Sequence, residues 1–380
     1  MIEGKQRVLW IDVLKGLAIL TVVLSHAPWL HRMGPKGVSV IASFAIPSFC
    51  LVSGYFFNPN ASFRDHIRRR FNSLLRPYIF ISVVVIIAYV IFRGAPSVWW
   101  YLFWTIYGNG PNLPKQMFHL FYLTNLFIVT LFVWALFRYF KLLKSSNSLQ
   151  LLFIMGFLVL GALGIQLFWN VKVPISVTNY FMTDGNLTLI NGLLKNPSYS
   201  QESLLVDKQF TLYGLPWSLD FVLVTSAFFM SGYFVKQNKL DHLFNKGTIA
   251  FIMLLVVIVC HSFYNYTINL NVRVYDHLII STTESFAAIY ILIYLSFYLG
   301  KMDNKMTQFI KYVGRYSLIV YIFHPHAQSN VYRTLLSSLS ESISFIAIPL
   351  SFIAGVSLPL LLNWLLLERF KSFRFWFYAK

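Results

Sequence analysis

Apolar runs of bilayer length follow one another from residue 8 to residue 367, and no polar stretch between them is long enough to fold as a separate soluble catalytic domain. A helix needs about 17–25 predominantly apolar residues to cross a membrane. Ten runs reach or approach that length, at about 8–29, 37–57, 77–93, 116–137, 149–169, 215–235, 248–265, 277–299, 310–325 and 342–367, the third and ninth being short. Composition agrees: 57% of the 380 residues are hydrophobic and 12% are charged, outside the range of soluble chains. The expectation is an all-α, polytopic integral membrane protein of about ten transmembrane helices, folded as a single membrane domain over residues 1–380 with no fused soluble domain. The first run reads as a retained helix and not as a removable signal peptide, because it is long, carries Asp12 and Lys15, and lacks a small-x-small cleavage site.

The formal net charge is +18. The basic clusters sit between apolar runs, so they are read through membrane topology and anionic substrates, and nucleic acid is not an expected partner. With the N-terminus inside, 21 of the 31 Lys and Arg fall on the inner side and 9 on the outer side. That bias puts both termini in the cytoplasm. Cys50 and Cys260 lie within apolar runs and imply no disulfide framework. The sequence carries no Walker loop, zinc-ligand spacing, nucleophile elbow or dinucleotide fingerprint, and no metal is expected.

Within the first run, Asp12, Lys15 and His26 are ionisable groups in an apolar setting. Such groups are costly in a membrane unless they face a polar interior, so each is a functional candidate by default. Lys15 and His26 are eleven residues apart, close to three helical turns, and therefore share one face at a separation of about 16 Å. Asp12 lies one turn from Lys15 on the same side. The plainer alternative is an i,i+3 ion pair with Lys15 snorkelling to the surface, and a histidine that ends the helix before Pro28-Trp29.

The pattern Asp12-x-x-Lys15-Gly16-x-x-Ile19-x-x-Val22-Val23-x-x-His26 resembles the opening helix of the membrane-bound acyltransferase family 3, the O-acyltransferases of surface glycans. The usual family signature has arginine, ten residues, then histidine. Lys15 in place of arginine resembles the fucose 4-O-acetylase-like branch; it keeps the charge but loses the bidentate fork. The resemblance extends to Ser53-Gly54-Tyr55, to Phe118-His119-Leu120-Phe121-Tyr122-Leu123, to Ser218-Leu219-Asp220 with Gly232-Tyr233, and closely to Gly314-x-x-Ser317-Leu318-x-x-Tyr321-x-x-His324.

That resemblance implies a membrane O-acyltransferase that takes an acyl group, most simply acetyl, from cytosolic acetyl-CoA as co-substrate. The acceptor would be a sugar hydroxyl of a cell-surface glycan or its lipid-linked precursor, as in exopolysaccharide biosynthesis at a bacterial inner membrane. His26, with Asp12 on its helix, is the catalytic candidate, because histidine can take and return a proton near neutral pH. Lys15 with Arg68, Arg69, Arg70 and Arg76 would hold the CoA phosphates, since arginine binds phosphate bidentately and never loses its charge. The basic run that contains these arginines could equally be a topology signal that contacts anionic lipid. His119, Asp220 and His324, all near the outer side, are candidates for binding the acceptor. The long outer loop 170–214, rich in Asn, Ser, Asp and Thr, would suit glycan contact, and 94–115 reads as an aromatic outer loop. Glu284, inside the eighth run, calls for a buried basic neighbour. A proton-coupled carrier of a small solute is the alternative that intramembrane Asp12, Lys15 and Glu284 leave open.

Overall fold

The computed structural model describes residues 9–27, 35–93, 98–114, 116–140, 142, 145–168, 171–174, 205–206, 209–212, 214–264, 266–271, 273–338 and 345–378. These residues are mostly helical. The first helix, α1 (Leu9–Ser25), is apolar except for Asp12 and Lys15 and is followed by α2 (Pro35–Tyr55). Then come α3 (Phe63–Arg70) and α4 (Arg76–Arg93), joined without a break by a π-helical turn at Phe71–Leu75. After α5 (Val98–Tyr107), α6 (Phe121–Tyr139) and α7 (Asn147–Phe168) follow as neighbours in sequence.

A small antiparallel sheet follows, with β1 (Val171–Pro174) and β2 (Leu205–Val206) on either side of β3 (Gln209–Leu212). The chain continues through α8 (Val222–Gln237) and α9 (Gly247–Phe263), a hairpin of β4 (Ile268–Asn269) and β5 (Val274–Tyr275), and α10 (Leu278–Gly300). It closes with α11 (Lys305–Arg315), α12 (Ser317–Ser338), α13 (Ala347–Leu362) and α14 (Lys371–Phe377).

Among the described residues, six helices are long and apolar enough to cross a membrane: 63–92, 118–139, 147–168, 216–237, 278–300 and 347–367. The expected runs at 8–29, 37–57 and 248–265 are helices too, but their apolar stretches are shorter. The ninth run, expected at 310–325, is not one helix. The chain breaks at Tyr316, so α11 ends at Arg315 and α12 begins at Ser317 and runs on to Ser338 with Pro325 inside it. Two loops are corrected as well. The basic segment before the third run is helical, capped by Ser62, whose hydroxyl accepts from the Asp65 amide. The aromatic segment 94–115 contains α5. Most of the loop at 170–214, with its suggested glycan contacts, lies outside the described residues.

α1 packs against α2, α10, α11, α12 and α13, and so is surrounded by protein. Its approach to α11 is set by glycine: a Cβ on Gly314 would fall 1.8 Å from the Asp12 carbonyl oxygen, and one on Gly16 would fall 2.2 Å from the Ile310 carbonyl oxygen. Gly54 of α2 and Gly232 of α8 do the same for a second pair, with Cβ positions 1.7 Å from Phe229 O and 1.9 Å from Leu51 O. The Ser-Gly step, a close-packing signal in membrane helices, stands at such a contact.

Candidate active site

Three histidines from three separate elements meet at one end of the bundle. His26 follows the last turn of α1, His119 lies in a 3-10 turn that leads into α6, and His324 lies in α12. The His26 and His324 rings are edge-on at 5.1 Å between centroids, and His119 and His324 are at 5.9 Å. His326 adds a fourth ring at 6.3 Å from His119.

Their hydrogen bonds fix which nitrogen carries the proton, because a carbonyl oxygen can only accept. His26 Nδ1 donates to Val22 O at 2.9 Å, so Nε2 holds the lone pair. His324 Nδ1 donates to Val320 O at 3.0 Å and Tyr321 O at 2.9 Å, which leaves Nε2 buried as an acceptor with no hydrogen-bond partner. His119 Nε2 donates to Ile322 O at 2.9 Å, and its Nδ1 is likewise buried and unpartnered. The cluster thus presents basic nitrogens whose opposite ring positions are locked to backbone, the arrangement that orients a catalytic imidazole.

His26 and His119 open onto a cavity of about 300 Å³. Its walls are aromatic, with Phe49, Phe118, Phe121, Tyr122 and Tyr321, and its polar members are Ser25, Asn269 and Asn271 beside the two histidines. His324 is fully buried beside His26 and does not line the cavity. Tyr321 donates its hydroxyl to His119 O and so ties α12 to the turn that carries His119.

Asp220 is not at the cavity wall. Its Oδ2 accepts from Arg273 Nε at 2.9 Å, its Oδ1 accepts from the Leu215 amide at 3.0 Å, and both side chains of the pair are sealed from solvent. Arg273 also donates to Ser218 Oγ and to Asn271 O, each at 3.0 Å. This guanidinium therefore joins the turn before α8 to the hairpin that carries the cavity's two asparagines. The turn is strained: Trp217 and Ser218 have φ values of 53° and 58°, and Arg273 itself has 57°.

At the other end of the bundle the candidates divide. α1 is continuous, so Asp12 stands about 21 Å along the helix from His26 and is not brought to it. Lys15 Nζ is 5.7 Å from the centroid of Phe56, and Lys236, at the end of α8, reaches the same ring at 5.8 Å. Arg68 and Arg69 are exposed, while Arg70 is half-buried. The Arg70 guanidinium lies within electrostatic range of Tyr122, a residue of the cavity wall. Arg76 instead stacks on Phe375 at 4.1 Å and donates to its carbonyl at 2.6 Å, and so is tied to α14.

A family model described as an acyltransferase domain matches residues 8–368, nearly the whole chain. The chain belongs to acyltransferase family 3. It is a membrane acyltransferase, and the family motifs that contain His26, His119 and His324 are the ones that converge. No curated protein and no solved structure matches the chain.

Four features of this acyltransferase do not stand out in its sequence. Arg273 is a single cation in a short segment and weighs there only in the topology. Asn269 and Asn271 alternate with Ile268 and Leu270, a period-2 signal that could have marked them. Lys236 is one topological charge among several. The fourth is His261, whose ring lies 3.8 Å from the Glu284 carboxylate and supplies the basic neighbour that Glu284 calls for. Among the described residues, no group of three or more His, Cys, Asp or Glu side chains is placed to hold a metal ion.

Proposed function

We propose that the protein is an O-acyltransferase that moves an acyl group, in the simplest case acetyl, from cytosolic acyl-CoA to a sugar hydroxyl of a surface glycan or its lipid-linked precursor, at the inner membrane of a bacterium. The observation that carries this is the cavity at His26. Its Nδ1 is committed to Val22 O, so Nε2 is the nitrogen that serves as base. An acceptor hydroxyl gives its proton to Nε2 and its oxygen attacks the thioester carbonyl. The carbon–sulfur bond breaks, and the imidazolium returns the proton to the thiolate, so an ester and free CoA thiol leave. His324, in edge contact with His26, holds the ring in place.

The donor reading rests on the opposite end. Lys15 and Lys236 both lie against Phe56, and Arg70, half-buried, is within electrostatic range of Tyr122. These are cations suited to a nucleotide with a pyrophosphate, from which a pantetheine arm running along α1 would carry the thioester toward His26. Arg76 is tied to Phe375 in the α4–α14 contact, so the donor reading rests first on Lys15, Lys236 and Arg70. Lysine at position 15 is what supports the fucose 4-O-acetylase-like branch. Family membership favours transfer over the carrier alternative.

The test is acyl transfer in membranes that carry His26→Gln. The amide keeps the size and polarity of the ring but cannot serve as base. Transfer from radiolabelled acetyl-CoA to endogenous glycan is expected to fall by at least about 100-fold, in line with general-base loss, while the amount of folded protein is unchanged. Transfer within a few-fold of wild type would remove His26 from the chemistry.

A further inference from the structure

The hairpin between α9 and α10 has an apolar edge and a polar edge. Ile268 and Leu270 are buried in the core, at 0% and 1% exposure. Asn269 and Asn271, at alternate positions, project to the other side and line the cavity with His26 and His119. The hairpin is held firmly. Ser43 of α2 accepts from the Ile268 amide at 3.1 Å, Asp276 accepts from the Thr267 amide at 2.9 Å, and the buried Arg273 donates to Asn271 O.

Asn271 Oδ1 is buried and has no hydrogen-bond partner, and His119 Nδ1, in the same cavity wall, is in the same condition. Native proteins rarely leave buried polar atoms unpaired, so each calls for a donor from a water, an ion or a bound group. Both atoms call for hydroxyl or N–H donors. None of the described lining residues is Lys, Arg, Asp or Glu. The charges behind the hairpin, Arg273 and Asp220, neutralise each other outside the wall.

Resting on the acyltransferase reading for which hydroxyl reacts, we propose that Asn269 and Asn271 are the residues that read the acceptor, and that the acceptor unit they read is an uncharged sugar. A carboxamide both donates and accepts, as a sugar hydroxyl does. The aromatic walls take the apolar faces of the ring. A hexuronate, a sialic acid or a phosphorylated sugar would bring a charge against a wall with no lysine or arginine among its described residues, and burial without a fixed counter-charge is costly. The cavity volume is at the low end for small-molecule sites, which suits one sugar unit and not an extended chain.

The experiment is equilibrium binding of short-chain alkyl glycosides to the full-length protein purified in detergent, without acyl-CoA. The panel is a neutral hexoside, a neutral deoxyhexoside, an N-acetylhexosaminide and a hexuronoside. At least one neutral glycoside is expected to bind at least tenfold tighter than the hexuronoside. Asn271→Leu, close to asparagine in shape but with no polar atoms, is expected to lose at least tenfold in that affinity and to unfold at the same or a higher temperature, because it removes an unpaired buried oxygen. A merely structural role would lower the unfolding temperature. Asn269→Ala is expected to weaken binding in the same direction; should the leucine variant not fold, Asn271→Ser, which keeps a hydroxyl in a smaller side chain, is expected to bind more weakly than wild type.

The proposal is overturned if the hexuronoside binds as well as the neutral glycosides, if both asparagine variants bind like wild type, or if no glycoside binds. Release of CoA thiol from acetyl-CoA, measured on the same preparations, separates the two readings. Absent thiol release with the expected sugar selectivity would sink the transfer chemistry and leave the sugar-binding surface standing.

Discussion

Arg273 and Asp220 form an ion pair sealed from solvent, and they sit between a strained turn and a hairpin. Burial pushes the Arg273 guanidinium down from its ordinary range, and the Asp220 carboxylate opposes that shift. Removing one partner of such a pair leaves a charge uncompensated, at a cost of about 3–5 kcal/mol, whereas removing both with apolar replacements is often near neutral. Asp220→Asn should therefore lower the thermal unfolding midpoint sharply, and Arg273→Leu should do likewise, while the double variant recovers most of the loss. If the single variants unfold like wild type, the pair does not hold the turn to the hairpin. The residues of the site differ in how visible they are in the chain. His26, His119 and His324 stand in motifs of several matched positions, so their importance can be read there. Their convergence cannot, because it depends on how α1, α6 and α12 pack. Asp220 is visible for the same reason as the histidines, but its role is not: its partner is 53 residues away and outside any motif.

At the scale of elements, two helix pairs are set by glycine and give a contrast that can be measured. Gly314→Ala places a methyl carbon 1.8 Å from Asp12 O, so α11 must move off α1. Overpacking of this kind costs about 1–3 kcal/mol. Gly156, in the interior of α7, has nothing within 4 Å of the position a Cβ would take. Alanine there should be neutral or should stabilise by up to about 1 kcal/mol through helix propensity. Thermal unfolding of the two variants side by side checks this; equal midpoints would mean that the α1–α11 contact yields without cost. The elements themselves are legible wherever a run is apolar, since a lipid-facing or buried helix needs little else. They are misread where charge or aromatic content looks like a loop. The arginine-rich segment before Arg76 is helical because Ser62 caps it and the π turn at Phe71–Leu75 carries the helix onward. The break at Tyr316 is hidden because the apolar residues on either side of Arg315-Tyr316-Ser317 read as one run.

At the scale of the molecule, the candidate site is divided between two ends. The histidine cavity is at one end of α1 and the Lys15–Lys236–Phe56 group is near the other, separated by about the length of three helical turns. A soluble enzyme has no use for that separation, whereas an enzyme in a membrane can keep a charged nucleotide on one side while its thioester reaches an acceptor on the other. In the proposed orientation, with both termini in the cytoplasm, the Lys15 end faces the cytoplasm. Inverted membrane vesicles, which expose the cytoplasmic face, should transfer the acyl group from added acetyl-CoA, and right-side-out vesicles should not, because CoA does not cross a bilayer unaided. Lys15→Met should raise the apparent KM for acetyl-CoA in the inverted vesicles by about tenfold, the worth of roughly one modest ionic contact of 1.4 kcal/mol, and should leave the acceptor KM unchanged. Asp12→Asn combined with Lys15→Met distinguishes the two anions that Lys15 could serve. If Lys15 acts on the donor, the double variant stays weak for acetyl-CoA, because the phosphate still lacks its counter-charge. Restored donor affinity in the double variant would make Asp12 the partner of Lys15 and move the donor site to Lys236 and Arg70.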